Sequence, residues 1–434
     1  MQFIMDCLDI NQQGHLAMSG CDLTEVAKEF GTPAYVLDEN TIRNNCRLYT
    51  ESIKEHYDGR GCAIYASKAL SCKYMYKIIA EEDMGIDVVS GGELYAALSA
   101  GFPADKIYFH GSNKTPDELE YAIENNIGRI MVDNELELTR ISEIGKKLSK
   151  TVNIIIRITP GVSADTHDFI KTGDIDSKFG ITLENGEAEK VVVLASKTDN
   201  VCLKGIHCHI GSQIFDIEPF CHAAEVMMDF ISNIKEKHGI ITEELDLGGG
   251  FGIRYTDKDN PVGLGEYMRD VSVVIKKLAD EKNLDLPFII VEPGRSTVAE
   301  AGLTLYTVGT IKEIPNIRTY VSIDGGMTDN PRYILYGAEY TAISVENPTA
   351  PQDKTVTIAG RCCESGDMIG ENMPLNDVKT GEILAILSTG AYNYSMSSNY
   401  NRVPRPPVIV IKDGKPTVAV RRETYEDMLR CDLY

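Results

Sequence analysis

The chain has 434 residues, of which 43 are Lys or Arg and 65 are Asp or Glu, giving a formal net charge of −22. With 43% apolar and 25% charged residues, it has the balance of a globular protein long enough for one large domain and one smaller one, which excludes wholesale disorder. So acidic a chain repels nucleic-acid backbones and anionic lipid heads, and no basic patch offsets this, so neither nucleic acid nor membrane is an expected partner.

The first strand-like run is AYVLD at 34–38, which closes an N-terminal segment of some 35 residues. Eight short β-branched runs follow, beginning near Cys62, Ile86, Lys106, Arg129, Val152, Val201, Glu244 and Pro287. Each precedes a longer stretch of helical periodicity and then a turn. Apolar strands without polar alternation suit a parallel sheet covered on its outer face. Eight such units in series predict an α/β fold built on a closed (β/α)8 TIM barrel, with an open doubly wound sheet as the alternative. After about Gly302 the texture changes to alternating pieces such as TVTIAG, EILAIL and PVIVI between Gly, Pro and Asp turns, which predicts an all-β domain. AYVLD can join that sheet, because chain ends often lie close together. The expected division is a barrel over 36–300 and a β domain, a Greek-key barrel or sandwich, over 1–35 plus 301–434.

No stretch approaches the run of about 18 apolar residues that a membrane helix needs, and no basic segment followed by an apolar core opens the chain. A cytoplasmic protein is expected. Eleven cysteines, spread from Cys7 to Cys431 without paired metal-ligand spacing, predict reduced thiols rather than a disulfide framework.

Polar and glycine-rich clusters fall at the carboxyl ends of the inferred strands, where barrel enzymes build their sites: Lys68, Ser90 to Gly92, His110, His209, Gly248 to Gly250 and Glu292. Lys68 follows CAIYAS. At a barrel mouth, desolvation can strip a lysine of its proton, so that its amine attacks an aldehyde cofactor, although most lysines face solvent. Gly248, Gly249 and Gly250 offer bare backbone amides for one phosphate, or else make a ligand-free turn. Glu292 and Arg295, in EPGR, form either a simple ion pair or a carboxylate for a pyridine nitrogen beside a guanidinium for an anion. His207 and His209 share one side of a strand with Cys208 on the other, and no further ligand cluster shows characteristic spacing, so no metal is expected. His209 suits stacking on an aromatic ring, His207 suits the core, and the Ser212 hydroxyl suits phosphate. In the β domain, Arg332 and Tyr336 can grip a carboxylate, while Cys363 and Glu364 offer a proton donor and an acid.

Ordered blocks along nearly the whole chain carry a resemblance. They include YASKA (65–69), DVVSGGEL (87–94), FHGSNK (109–114), DSKFGI (176–181), GIHCHIGSQI (205–214), LDLGGGFGI (245–253), EPGRS (292–296), DGGMTDNPRYILYGA (324–338), CESGD (363–367) and GAYNYSMSSNYN (390–401). In these the chain resembles the fold-type III pyridoxal-phosphate enzymes, the diaminopimelate decarboxylases in particular. The resemblance implies that Lys68 forms a Schiff base with pyridoxal 5'-phosphate and that His209 stacks on the ring. Ser212 and Gly248 to Gly250 would hold the phosphate, and Glu292 would pair with the pyridine nitrogen. Gly294 and Arg295 would lie at phosphate and substrate, and Tyr392 would touch both cofactor and substrate. Arg295, Arg332, Tyr336 and a neighbouring subunit's Glu364 would recognise the far amino-acid end of the substrate, with the neighbour's Cys363 as proton donor. A homodimer with shared sites follows. The implied reaction is decarboxylation of meso-2,6-diaminopimelate to L-lysine. Ornithine or arginine decarboxylases and specialised paralogues are the alternatives, and an amino-acid racemase is a more distant one.

Overall fold

The computed structural model describes residues 3–162 and 177–434, so Asp176 of the DSKFGI block lies outside the described residues. The eight apolar runs pair in parallel, each with the next: Gly61–Ala66, Gly85–Val88, Ile107–Phe109, Arg129–Val132, Val152–Thr159, Val201–His207, Glu244–Asp246 and Phe288–Val291. The eighth returns to pair with the first through Ile289 and Gly61, Ile290 and Cys62, and Val291 and Ala63, so the sheet closes into a barrel. The open-sheet alternative is thereby set aside. Every strand starts within one residue of its expected position. The reason is that a strand covered on its outer face by helices is apolar throughout, and such runs stand out against the helical segments between them.

Helices begin where a polar side chain can take up the first free amides. Ser90 accepts from the Glu93 N–H and starts the helix Gly91–Ser99. Thr115 and Glu118 cap each other's backbone at the start of Pro116–Glu124. Glu118 also accepts the Gly91 N–H at 2.8 Å, which joins the second and third strand-to-helix connections. The Ser90–Gly92 cluster therefore serves as a helix start.

A second sheet runs in the order Met368–Leu375, Lys354–Ala359, Arg318–Ile323, Gly302–Ile314, Ala34–Asp38, Val408–Lys412 and Lys415–Val420, with Ile383–Ile386 joining Gly302–Ile314 to Ala342–Ser344. AYVLD lies inside it, antiparallel to Gly302–Ile314 and parallel to Val408–Lys412. The N-terminal segment also contains a helix, Leu23–Phe30, and three short strands between Leu8 and Asp22, so it is not purely β. Among the described residues no helix is long and apolar enough to cross a membrane, and all eleven cysteines are unpaired.

Candidate active site

Because side chains alternate across a strand, every second residue of each barrel strand points inward. At mid-height those positions are Ile64, Tyr108, Met131, Ile155 and Ile290, which pack together as a closed apolar layer. Two residues further along the strands the inward set becomes Ala66, His110, Asp133, Arg157 and Glu292, joined by Asp87, His207 and Asp246 from the other three strands. The barrel thus changes from apolar to ionisable over one repeat. Of this layer, Asp87, His110, Arg157 and Glu292 line a cavity of about 590 Å³ at the carboxyl end.

Lys68, His209, Ser212, Glu292, Arg295, Arg332, Tyr336 and Tyr392 all line this cavity, and Gly250 and Gly294 line a deeper recess beside Ser212 and Lys68. Gly248 and Gly249 lie in the same turn, which fits only glycine. Gly248 has φ +68°, and a Cβ there would stand 2.8 Å from His209 Nδ1; a Cβ on Gly249 would stand 2.1 Å from the Glu292 carbonyl oxygen. The Gly249 N–H donates to His209 Nδ1 at 3.2 Å, which leaves the ring proton on Nε2. Burial, then the charges of Lys68 and Arg157, hold His209 well below its ordinary range, so the ring is neutral.

Glu292 sits between two histidines. His110 Nε2 is 2.7 Å from Oε1, off the line of a hydrogen bond, and His207 Nε2 is 3.5 Å from Oε2. Burial alone would push Glu292 up, but His110 and then His207 hold it well below the usual carboxylate range. Burial lowers both histidines as well, His207 to about 4, against the opposing pull of Glu292. The result is an ionised carboxylate with a buried oxygen that lacks a donor in line. Beside it, burial and then the charge of Glu292 push Asp246 well above its usual range. His207, assigned to the core from sequence, is therefore a neighbour of the Glu292 carboxylate. His110, His207 and Glu292 also form a cluster of possible metal ligands drawn from three strands, which sequence spacing could not reveal. The 2.7 Å approach of His110 to Glu292 is closer than the ~3.3 Å that ~2.0–2.1 Å bonds set between ligands of a tetrahedral zinc.

One expectation is corrected. Desolvation was to strip Lys68 of its proton, but the amine is held above its usual range, because Asp87, then Tyr392 and Glu292, outweigh the burial that opposes them. Asp87 in turn is pushed up by burial, which Lys68 only partly offsets. The Lys68 side chain opens onto the cavity, with no hydrogen bond or ion pair holding its amine among the described residues.

Within the same cavity the guanidiniums of Arg295 and Arg332 converge, 4.8 and 5.8 Å from the Tyr392 ring. Arg295 Nη2 donates to the Ser212 hydroxyl at 2.9 Å. Asp87, Arg157 and Tyr255 complete the site and were not singled out from sequence. The first two were hidden within apolar strands, and Tyr255 lies in the loop just past the GGGFGI block. Cys363 and Glu364 do not line the cavity within one chain; both are exposed, on a turn that Cys363 N–H ties to the Asn401 side chain at 2.9 Å.

The residues fit pyridoxal phosphate. A turn with no room for side chains beside Ser212 suits a phosphate, a neutral flat His209 suits an aromatic ring, an ionised Glu292 suits a ring N–H, and Lys68 suits an aldehyde.

Comparison with known proteins agrees. The family described as pyridoxal-dependent decarboxylase, pyridoxal binding domain, matches residues 39–299. The diaminopimelate decarboxylase of Bacillus subtilis (strain 168) is 46% identical over 426 residues, covering 98% of this chain and 96% of its own. That of Staphylococcus aureus (strain COL) is 47% identical over 421 residues, covering 96% and 98%. The crystal structure of the diaminopimelate decarboxylase from M. jannaschii in co-complex with L-lysine superposes with a TM-score of 0.93 at 37% identity, covering 100% of this chain and 99% of that one.

Proposed function

The chain belongs to the diaminopimelate decarboxylases, within the pyridoxal-dependent decarboxylase family, and on that premise we propose how its residues divide the work. The enzyme is a pyridoxal-phosphate-dependent carboxy-lyase that converts meso-2,6-diaminopimelate to L-lysine and carbon dioxide, the last step of bacterial lysine biosynthesis. The observation that carries the assignment of roles is the convergence of Lys68 and the Glu292 carboxylate with two guanidiniums, Arg295 and Arg332, on one cavity. A substrate with an amino-acid group at each end suits such a cavity.

Pyridoxal phosphate supplies the electron sink for the pair left behind when carbon dioxide departs. Lys68 would hold the cofactor through its aldehyde carbon. Glu292 would keep the ring nitrogen protonated, His209 would pack against the ring face, and Ser212 with the amides of Gly250 and Gly294 would seat the phosphate, while Gly248 and Gly249 give their own N–H groups to Asp246 and His209 and keep the turn narrow. Tyr392 lies against both cofactor and substrate. Arg332, with Arg295 and Tyr336, binds the far carboxylate, where a bidentate guanidinium discriminates against substrates that end in a cation. A racemase would have an arginine in place of Glu292.

Sγ of Cys363 delivers a proton to the former α-carbon, and Glu364 pairs with the far amine, both from a second copy of the chain. Three features support that arrangement. Both residues are exposed, their turn lies against Ile334, and the exposed Ile334 and Leu335 make an apolar surface on the helix that carries Tyr336 into the cavity. A homodimer in the reducing cytoplasm follows, in keeping with eleven unpaired thiols. Carbon dioxide release from meso-diaminopimelate, ornithine, arginine and lysine, measured side by side, tests the assignment. Turnover of meso-diaminopimelate alone is expected, and comparable turnover of ornithine or arginine refutes the far-carboxylate clamp.

A further inference from the structure

Tyr255 lies between the two arginines. Its hydroxyl oxygen accepts from Arg295 Nη1 and, at 2.8 Å, from Arg332 Nη1. The ring is buried, and its backbone is fixed on both sides: Asp259 accepts its N–H at 2.9 Å and Thr341 donates to its carbonyl at 2.9 Å. Tyr340 meets its ring edge to face at 5.4 Å, and the Tyr340 hydroxyl lies 3.4 Å from Arg332 Nη1. Two cations thus share one phenol oxygen.

A guanidinium grips a carboxylate through two parallel N–H groups, and its Nε and Nη2 form one such edge. On Arg332 neither of those nitrogens donates to anything among the described residues, and Nε is buried. Tyr255 occupies Nη1 and leaves that edge free. Arg295 is held likewise, with Nη1 on Tyr255 and Nη2 on Ser212. Burial would raise the Tyr255 phenol, but Arg295 and then Arg332 hold it below its usual range, and Tyr336, Tyr340 and Tyr392 also face the pair.

We propose that Tyr255 is a specificity-determining positioning residue, which fixes Arg295 and Arg332 through one shared oxygen so that the free edge of Arg332 faces the far carboxylate of the substrate. This rests on the clamp described above and adds to it a residue that never touches the substrate.

L-Lysine keeps the far carboxylate of diaminopimelate, and 1,5-diaminopentane lacks it, so the two serve as binding probes that need no turnover. In Tyr255→Phe, KM for meso-diaminopimelate and the inhibition constant of L-lysine are expected to rise roughly 10- to 100-fold, the worth of a hydrogen bond to a charged group. Within about threefold, kcat and the inhibition constant of 1,5-diaminopentane stay unchanged. Adding Tyr255→Phe to Arg332→Met raises KM by a clearly smaller factor than Tyr255→Phe does alone, since one of the two guanidiniums it positions is already gone. Equal weakening of both probes marks a merely structural role and overturns the inference, as does full additivity of the two substitutions. If Arg332→Met raises KM while Tyr255→Phe does not, this inference alone fails. If Arg332→Met leaves KM unchanged, the clamp itself fails and Tyr255 has nothing to position.

Discussion

Replacing Lys114 with Met removes one half of a buried ion pair that supports the cavity wall. Lys114 Nζ donates to Glu137 Oε1 and to the carbonyls of Gly111 and Met131, at 2.9 and 2.6 Å, and the two side chains are 1% and 4% exposed. The amine thereby fixes the 110–114 loop, which begins at His110 beside Glu292, to the end of the fourth strand. Burial pushes Glu137 above its usual range even with Lys114 present, and without that cation the carboxyl rises further. Stranding one member of a buried pair costs about 3–5 kcal/mol, whereas replacing both with apolar residues of similar size is roughly neutral. Lys114→Met is therefore expected to lose about 3–5 kcal/mol at neutral pH, and Lys114→Met with Glu137→Leu to recover most of it. The sign with pH follows from the raised Glu137: its folded carboxyl holds a proton more tightly than the unfolded one, so the deficit grows as pH rises and shrinks in acid. The chain has no tryptophan, so urea titration followed by far-ultraviolet circular dichroism is the assay. A single substitution within about 1 kcal/mol of wild type, or a double one less stable than the single, contradicts the account.

Three further outcomes concern the chemistry. Glu292→Gln should retain cofactor, seen as visible absorbance, yet slow decarboxylation by roughly 10²- to 10³-fold through loss of a buried electrostatic partner; near-normal rates exclude the role given to Glu292. Mixing Lys68→Ala with Cys363→Ala subunits should restore about a quarter of wild-type activity, since random exchange leaves one intact site in each hybrid dimer; no recovery despite demonstrated exchange would point to sites built within one chain. Capture of cofactor by the apo protein needs the unprotonated Lys68 amine, which Asp87 holds above its usual range. Its rate should climb as pH rises, and Asp87→Asn should move the climb to lower pH; a rate unmoved by that substitution removes Asp87 from the account.

Much of this was legible in the sequence because of what parallel strands require. The eight barrel strands are apolar on both faces, so their starts could be placed within a residue, and their carboxyl ends mark the site before any geometry is known. Lys68, His209, Glu292 and the glycine turn were found this way. What stayed hidden depends on closure. Asp87, Arg157 and Asp246 sit at inward positions of strands, and nothing in a linear pattern distinguishes an inward carboxylate from a chance polar residue until eight strands aim their layers at one axis. The direction of the Lys68 shift was missed for the same reason: its opposing charges come from the second and eighth strands, 19 and 224 positions away. Tyr255 is a loop residue recognisable only once Arg295 and Arg332, 40 and 77 residues further on, are seen to share its oxygen.

The placement of Ala34–Asp38 sets an order of events at the ribosome. This strand emerges before every barrel strand, yet its two neighbours are Gly302–Ile314 and Val408–Lys412. The barrel segments are all synthesised before the second of those partners exists. During translation one edge of this strand must therefore wait with its amides unpaired until Val408–Lys412 leaves the exit tunnel. A nascent chain arrested shortly before Val408 would hold a finished barrel alongside an incomplete sheet.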